Sequence, residues 1–326
     1  MRFDIGAQGE PDELRDWRAR RFRILVCIDG SEEAYSGLRF AADIGHNEDC
    51  DIILAYVRPT DQGLRTGGLQ VSLARQNMLE WGLELPGITH LKQGLEVLKE
   101  AGHGEQEWDA THTHTDVWGD PVGDNKIEYR NDKGKSIVLK LKTAPDVVSG
   151  ILDQYELGPY NLMILGEPSR WQGEFRSFWD AGVVQKVAML SPCSVMVARG
   201  VTQAKGTMIC TDGSEQSFEA VRRAAVLVHT CNGTVTLFTV ARDHEGQRRA
   251  QEVLSRATEM LGELDIPVAE TKVGVGDPVE QICEAGAEHN LIVVSDSGKS
   301  RLKRFLVGSV AFGVMGRAKT SVLNVR

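Results

Sequence analysis

The chain lacks several features that would settle its class at once. It has only six cysteines in 326 residues, and none form a Cys-x-x-Cys pair. That removes the common zinc-ribbon and dithiol redox motifs and fits a reduced compartment. No apolar run approaches the ~20 residues that a membrane-crossing helix needs. The first residues, Met1-Arg2-Phe3-Asp4, lead into no apolar segment of the secretory type, so a cytoplasmic location is expected. Positive charge is in deficit. A net charge of -9 argues against duplex nucleic acid as a partner, because phosphate backbones are held by clustered Lys and Arg. No membrane association is expected either. No Ser/His/Asp or Cys/His arrangement is set by spacing, so no catalytic nucleophile is assigned.

What is present is one theme written twice. The first copy reads Ile24-Leu25-Val26-Cys27-Ile28-Asp29-Gly30-Ser31-Glu32, and the second Met208-Ile209-Cys210-Thr211-Asp212-Gly213-Ser214-Glu215. Each is a short buried-type strand running into Asp-Gly-Ser-Glu, with Ser suited to a helix N-cap and Glu to the first turn. Helical spacing follows in Ala34, Leu38, Ala41 and Ile44, and in Phe218, Val221, Ala225 and Val228. The copies close alike, on Ser194-Val195-Met196-Val197-Ala198-Arg199 and Ser321-Val322-Leu323-Asn324-Val325-Arg326. The offset between copies falls from 183 residues at the start to 127 at the end, so the first copy is 56 residues longer. The expected domains are 21–200 and 204–326.

Apolar strands alternating with helices predict, in each copy, a five-stranded, mainly parallel α/β sheet of the flavodoxin or Rossmann kind, with helices on both faces. In the compact second copy a helix is expected at about 246–263, a strand from Val268 to Val275, and a helix opening on Asp277-Pro278. A fourth strand is expected at Leu291–Val294, a helix at about 307–317 and a last strand at Ser321–Val325. The extra length of the first copy lies largely in 58–72 and 102–135. Ile127–Arg130 and Ile137–Leu139 flank Asn131-Asp132-Lys133-Gly134 as a hairpin extending the third strand. Residues 11–21 have the composition of a short charged helix. His112 and His114 would share a strand face, where a solvated strand is favoured over a metal site completed by His103.

The segment that carries chemistry follows the fourth strand: Ser295-Asp296-Ser297-Gly298-Lys299-Ser300-Arg301, then Gly308-Ser309-Val310. It sits where open α/β sheets bind ligands, at the carboxyl edge of the strands. Small residues let main-chain N–H groups approach phosphate, and Gly308-Ser309 would open a helix whose N-terminus favours an anion. Lys299, Arg301, Lys303 and Arg304 add positive charge. A P-loop is excluded, since Val293 stands where its first Gly must be.

Asp212-Gly213-Ser214-Glu215, Gly276-Asp277-Pro278 and Ser295-x2-Gly298-x9-Gly308-Ser309 together resemble the universal stress protein family, in its tandem form. The likeness spans nearly all of the chain beyond the first 20 residues, apart from the insertions. The nucleotide-binding branch carries Gly-x2-Gly-x9-Gly-Ser/Thr, and Ser295 replaces the first Gly. The resemblance implies that ATP or another adenine nucleotide binds the second domain. Thr211, Asp212 and Gly276 would lie at the site, and Asp212 would accept hydrogen bonds from the adenine or ribose edge. Val240 would line the adenine slot by its backbone. Ser295, Gly298, Lys299, Ser300, Gly308, Ser309 and Val310 would surround the phosphates and ribose. It also implies pairing of the two copies through their last strands as an intramolecular pseudo-dimer, with a homodimer and a regulatory protein partner as further possibilities. The first copy departs from the pattern: Glu167 and Pro168 follow Gly166, and Ala181-Gly182 replaces Gly-Ser. It is read as a mainly structural domain. Three functions stay open: a nucleotide-dependent binding module, a slow ATPase or nucleotidyl-transfer enzyme with Mg²⁺ beside Asp296 and Asp277, and a scaffold with both sites dead.

Overall fold

The computed structural model describes residues 20–46, 49–60, 86–103, 108–117, 120–156, 159–167, 181–200, 205–230, 233–296 and 308–326. Most of the expected helix at 11–21, most of the loop at 58–72 and five of the six tryptophans lie outside them; Arg20 and Arg21, at the end of that stretch, are not helical. In the first repeat the elements are β1 (Phe22–Cys27), α1 (Glu32–Gly45), β2 (Cys50–Pro59), α2 (Pro86–Leu98), β3 (Asp109–Val117), β4 (Asp120–Arg130), β5 (Ser136–Ala144), α3 (Val147–Glu156), β6 (Leu162–Gly166), α4 (Ala181–Leu190) and β7 (Ser194–Ala198). The second repeat has β8 (Lys205–Cys210), α5 (Glu215–Thr230), β9 (Val235–Ala241), α6 (Gln247–Gly262), β10 (Val268–Val275), α7 (Pro278–Gly286), β11 (His289–Ser295), α8 (Ser309–Arg317) and β12 (Ser321–Val325).

Among the described residues all strands join one 12-stranded sheet in the order β10-β9-β8-β11-β12-β7-β6-β1-β2-β5-β4-β3. Five strands of each repeat are parallel and ordered alike, the third-second-first-fourth-fifth arrangement of doubly wound folds. The repeats meet through their last strands: β12 runs antiparallel to β7, pairing Val322 with Val197 and Leu323 with Met196. The hairpin expected around Asn131–Gly134 is present. β4 pairs antiparallel with β5, and β3 with β4, so the first repeat extends the sheet by two edge strands.

The strands are apolar on both faces because both faces are covered. Ile24, Val26, Ile52, Leu237 and Val293 pack under α1, α2, α5 and α6. Leu25, Ile53, Met163, Val197 and Ile292 pack under α3, α4, α7 and α8. The helical positions read from spacing (Ala34, Leu38, Ala41, Ile44, Phe218, Val221, Ala225 and Val228) are all buried. At Gly166, a Cβ would come within 2.6 Å of the Ala34 amide nitrogen, so α1 crosses β6 backbone to backbone. Gly166→Ala should therefore destabilise the fold by about 1.5 kcal/mol, by forcing α1 off the sheet. Urea melts of the two proteins would check this; an unchanged midpoint would mean that the helix can lift freely.

The His112–His114 strand exists and is exposed, with His112 opposite Ile127 and His114 Nδ1 3.0 Å from Asn125 Oδ1. His103 is not part of it: it is buried, 3.0 Å by Nε2 from the Ala42 carbonyl, and stacked on His46. Among the described residues no cluster of three His, Cys, Asp or Glu side chains could hold a metal, and no helix is long and apolar enough to cross a membrane.

Candidate nucleotide site at the carboxyl edge of the second repeat

The turn after β8 is built by short polar side chains. Asp212 Oδ1 accepts hydrogen bonds from the Ser214 amide (3.0 Å) and hydroxyl (2.6 Å), while Ser214 Oγ caps α5 by accepting from the Ser217 amide at 3.2 Å. Gly213 between them has φ +78, a left-handed conformation that glycine adopts without strain. The first repeat builds the same turn: Asp29 Oδ1 accepts from Ser31 at 2.9 and 2.6 Å, around Gly30 at φ +90. The two turns differ in what presses on them. A Cβ on Gly213 would meet Val253 of α6 at 2.6 Å, whereas one on Gly30 would meet the His90 ring of α2 at 2.4 Å. Thr211 is buried beneath the turn, its Oγ1 2.8 Å from Ser217 Oγ.

Val240 lies beyond the end of the β8–β9 ladder. The β8–β9 ladder ends at Cys210↔Phe238, followed by a bond from the Thr211 amide to the Phe238 carbonyl at 2.9 Å. β9 continues alongside β10, with Val240 opposite Gly274. Main-chain groups two residues apart point the same way in a strand. The amide and carbonyl of Val240 are therefore directed, like those of Phe238, toward β8, but past its end and beside the Asp212 turn. Gly276 closes the β10 side. Its amide bonds the Ala241 carbonyl at 3.0 Å, its φ is +122, and the space where a Cβ would stand is open to 4 Å. Asp277 then caps α7, accepting from the Glu280 amide at 3.0 Å, with Pro278 in the first turn.

On the other side of β8, Ser295 ends β11. Asp265 is the one non-glycine with positive φ among the described residues, so Ser295 needs no conformation that serine resists. Gly308 is the N-cap of α8 and offers no capping side chain, which leaves the start of that helix as main-chain N–H groups. Ser309 and Val310 form its first turn. Thus Thr211, Asp212, Val240, Gly276, Ser295, Gly308, Ser309 and Val310 all come to the carboxyl edge of the sheet. Gly298, Lys299 and Ser300, with Arg301, Lys303 and Arg304, lie outside the described residues.

The Asp296 and Asp277 carboxylates, which one of the open readings sets beside Mg²⁺, are both engaged within the protein. Asp296 uses both oxygens: Oδ1 accepts from Asn324 at 2.9 Å and from the Gly308 amide at 3.4 Å, and Oδ2 pairs with Arg326 Nε at 2.8 Å. Asp277 is spent on its cap. Sequence reasoning missed this use of Asp296, and the signal was the Arg that closes both repeats. Arg199 does in the first repeat what Arg326 does in the second. It binds Glu167, the residue after β6, at 2.5–2.6 Å. The two arginines also cross the junction reciprocally. The Arg199 amide bonds Ser321 Oγ (3.0 Å) and its guanidinium bonds the Met315 carbonyl; the Arg326 amide bonds Ser194 Oγ (3.1 Å) and its guanidinium the Ala188 carbonyl (3.2 Å). Each partner is offset by the 127 residues that separate the copies, so the junction is an internal two-fold interface.

A cavity of about 710 Å³ lies at that junction, walled by Phe22, Ile44, Arg222, Val226 and Arg326 among others, rather than at the Asp212 turn. Burial first, then neighbouring Asp29, pushes the buried Cys27 thiol far above the ordinary thiol range, burial drives Cys50 to about 12, and the half-buried Cys210 is raised as well.

Comparisons with known proteins agree with this fold. A protein assigned to the universal stress proteins in Pseudomonas aeruginosa UCBPP-PA14 is 13% identical and superimposes with a TM-score of 0.57, covering 95% of this chain and 94% of its own. A universal stress protein from Archaeoglobus fulgidus DSM 4304 is 16% identical, with a TM-score of 0.55, covering 95% and 98%. A universal stress protein solved in complex with cAMP is 29% identical over 38% of this chain and 98% of its own, with a TM-score of 0.33. No relative was found among curated proteins. The sequence model of the Universal stress protein family matches twice, over residues 21–199 and 205–326. With two family-length matches and two copies of one α/β unit, the chain belongs to the universal stress protein family in tandem form.

Proposed function

We propose that the chain is a nucleotide-responsive binding protein, in which the second domain (204–326) holds an adenine nucleotide and the first (21–200) serves as its structural half. The observation that carries this is the early end of β8. It leaves the amide and carbonyl of Val240 directed over the Asp212–Gly213 turn. An adjacent donor and acceptor of this kind match the hydrogen-bonding edge of adenine. The ribose would lie toward Asp212, and the phosphates toward the uncapped start of α8 at Gly308, where the helix dipole favours negative charge. Ser295, Gly298, Lys299, Ser300, Ser309 and Val310 would complete the phosphate and ribose contacts. In the first domain Ala181-Gly182 stands where the second has Gly308-Ser309, so the start of α4 lacks that motif. This supports a structural role there.

Binding is favoured over metal-assisted phosphoryl transfer because Asp296 is tied to Arg326, Asn324 and Gly308. Any Mg²⁺ would have to arrive on the phosphates of ATP. Under this reading the nucleotide sets the chain's contacts with a regulatory partner.

The test is to purify the protein without added nucleotide, denature it and identify the released small molecules by mass spectrometry. Near-stoichiometric adenine nucleotide is expected, or else a marked rise in melting temperature on adding ATP. At 100 times its dissociation constant a ligand stabilises the fold by about 2.7 kcal/mol. Protein that is empty and whose melting does not move at millimolar ATP would leave the scaffold reading standing.

A further inference from the structure

The edge strands β3 and β4 have no counterpart in the second repeat, and β4 creates a charge arrangement that the nucleotide reading does not use. Its register sets Lys126 directly opposite Lys140 of β5. Lys142 lies two residues along the same face, and Arg23 of β1 also faces this side of the sheet. The acids on the face are already taken. Glu128 accepts from Lys126 (3.2 Å), Arg130 (2.6 Å) and Ser136 Oγ (3.3 Å). Asp124 accepts from Lys142 and from the Thr143 amide, each at 2.7 Å. Asp51 of β2 is held by Arg21 and by the Ser136 amide at 2.9 Å. The overlying α3 lays Val147 and Ile151 on the sheet, and its Asp153 is exposed.

Lys140 is thus a partly buried amine crowded by cations, with no hydrogen bond or ion pair among the described residues. Burial first, then Lys142, drives its pKa down to about 8, with Lys126 and Arg23 acting in the same direction and Asp124 opposing. Nearby, Arg23 Nε is buried without a hydrogen-bond partner. An ammonium at Lys140 is disfavoured by every cation around it, and a negative group on the same nitrogen would be favoured by all of them.

We propose that Lys140 is a carbon dioxide-binding lysine, whose Nζ forms a carbamate facing the cations of Lys126, Lys142 and Arg23. The neutral amine's lone pair attacks the carbon of CO2 and an N–C bond forms. One C–O π bond opens to give the carboxylate, and one N–H proton is released to solvent. Nothing is oxidised and no group leaves. CO2 is small and uncharged, so it reaches a partly buried amine without the desolvation cost that an anionic reagent would meet. A positive charge becomes a negative one at the inserted edge of the sheet, which makes the site a sensor of dissolved CO2.

The experiment uses the full chain equilibrated with ¹³C-labelled bicarbonate and CO2, trapped with a trialkyloxonium salt that esterifies carbamates, and digested for peptide mass spectrometry. At pH 7.5 roughly a quarter of the Lys140 amines are neutral, against about one in a thousand for an ordinary lysine. The Lys140 peptide should therefore be the one lysine peptide carrying the label, with occupancy rising through about pH 8 at fixed dissolved CO2. The chain's α-amino group, ordinarily near 8, is the internal reference for trapping. Lys126→Met should cut the label several-fold, because it removes both the repulsion on the ammonium and the attraction on the carbamate. Urea-unfolded protein should label Lys140 no more than other lysines. A trapped α-amino group with unlabelled Lys140 in the folded chain, or equal label on all lysines, overturns the proposal.

Discussion

Gly308→Asp is expected to abolish nucleotide binding while leaving the fold as stable as before, or slightly more so. Gly308 is the N-cap of α8, in extended conformation (φ -60, ψ 148), with no side chain to cap the helix. Aspartate is among the best N-cap residues and adopts this conformation without strain. Its carboxylate would accept the main-chain N–H bonds that the uncapped helix start offers, adding up to about 1 kcal/mol of stability. Those same N–H groups are the ones proposed to receive a phosphate, and the new charge would repel it. The affinity loss should be about 100-fold or more, on the order of 3 kcal/mol. The two effects have opposite signs, which makes the variant informative. Calorimetry with ATP, together with a melt in its absence, reads both. A variant that still binds ATP like the wild type would place the phosphates away from α8. One that merely unfolds would show that Gly308 serves packing instead.

Much of this architecture was legible from residues because the physics behind it is local. Strands such as Leu291–Val294 are apolar throughout, as strands covered on both faces must be. The Asp-Gly-Ser-Glu turns follow from capping chemistry at adjacent positions, and both repeats form them. The hairpin at Asn131–Gly134 was legible for the same reason; the length of β4, reaching back to Asp120, was not, since its residues alternate too weakly to mark a strand. Of the candidate site, Asp212, Gly276 and Gly308 were reachable through the motifs that carry the family resemblance. The resemblance named Val240 too, but the direction of its backbone past the end of β8 was not legible, because it depends on where β8 stops relative to β9.

Asp296 and Glu167 show the limit most clearly. Read alone, one carboxylate suggests a metal and the other repulsion of phosphate. Each is in fact neutralised by an arginine some thirty residues away, and that partner is set by sheet order rather than by spacing. The repeat itself carried the missing signal. An Arg that ends both copies at the same distance from the shared Ser-Val motif is placed to do one job twice.

Arg199→Ala should accordingly be the most destabilising single substitution in the junction, at about 3–4 kcal/mol. The side chain is 9% exposed and holds three partners at once. Its Nε and NH2 pair with Glu167, its NH1 bonds the Thr320 carbonyl at 3.0 Å, and its NH2 bonds the Met315 carbonyl. Removing it leaves a partly buried carboxylate without its charge partner and two main-chain carbonyls without a donor, and leaving such groups unpaired costs more than the bonds themselves contribute. The damage should be directional. Glu167 belongs to the first repeat and Met315 and Thr320 to the second, so the loss falls on their association through β7 and β12 as well as on the first domain. Unfolding is expected as a single transition in the wild type and should become broader or split in the variant, as the two repeats lose their coupling. Removing the acid as well, in Arg199→Ala with Glu167→Gln, should recover part of the loss, since the stranded charge is gone. Urea titrations followed by circular dichroism would check all three proteins. Equal stability of wild type and Arg199→Ala would mean that the junction is held by its apolar strand pairing alone, with the arginine pair contributing no more than an exposed ion pair would.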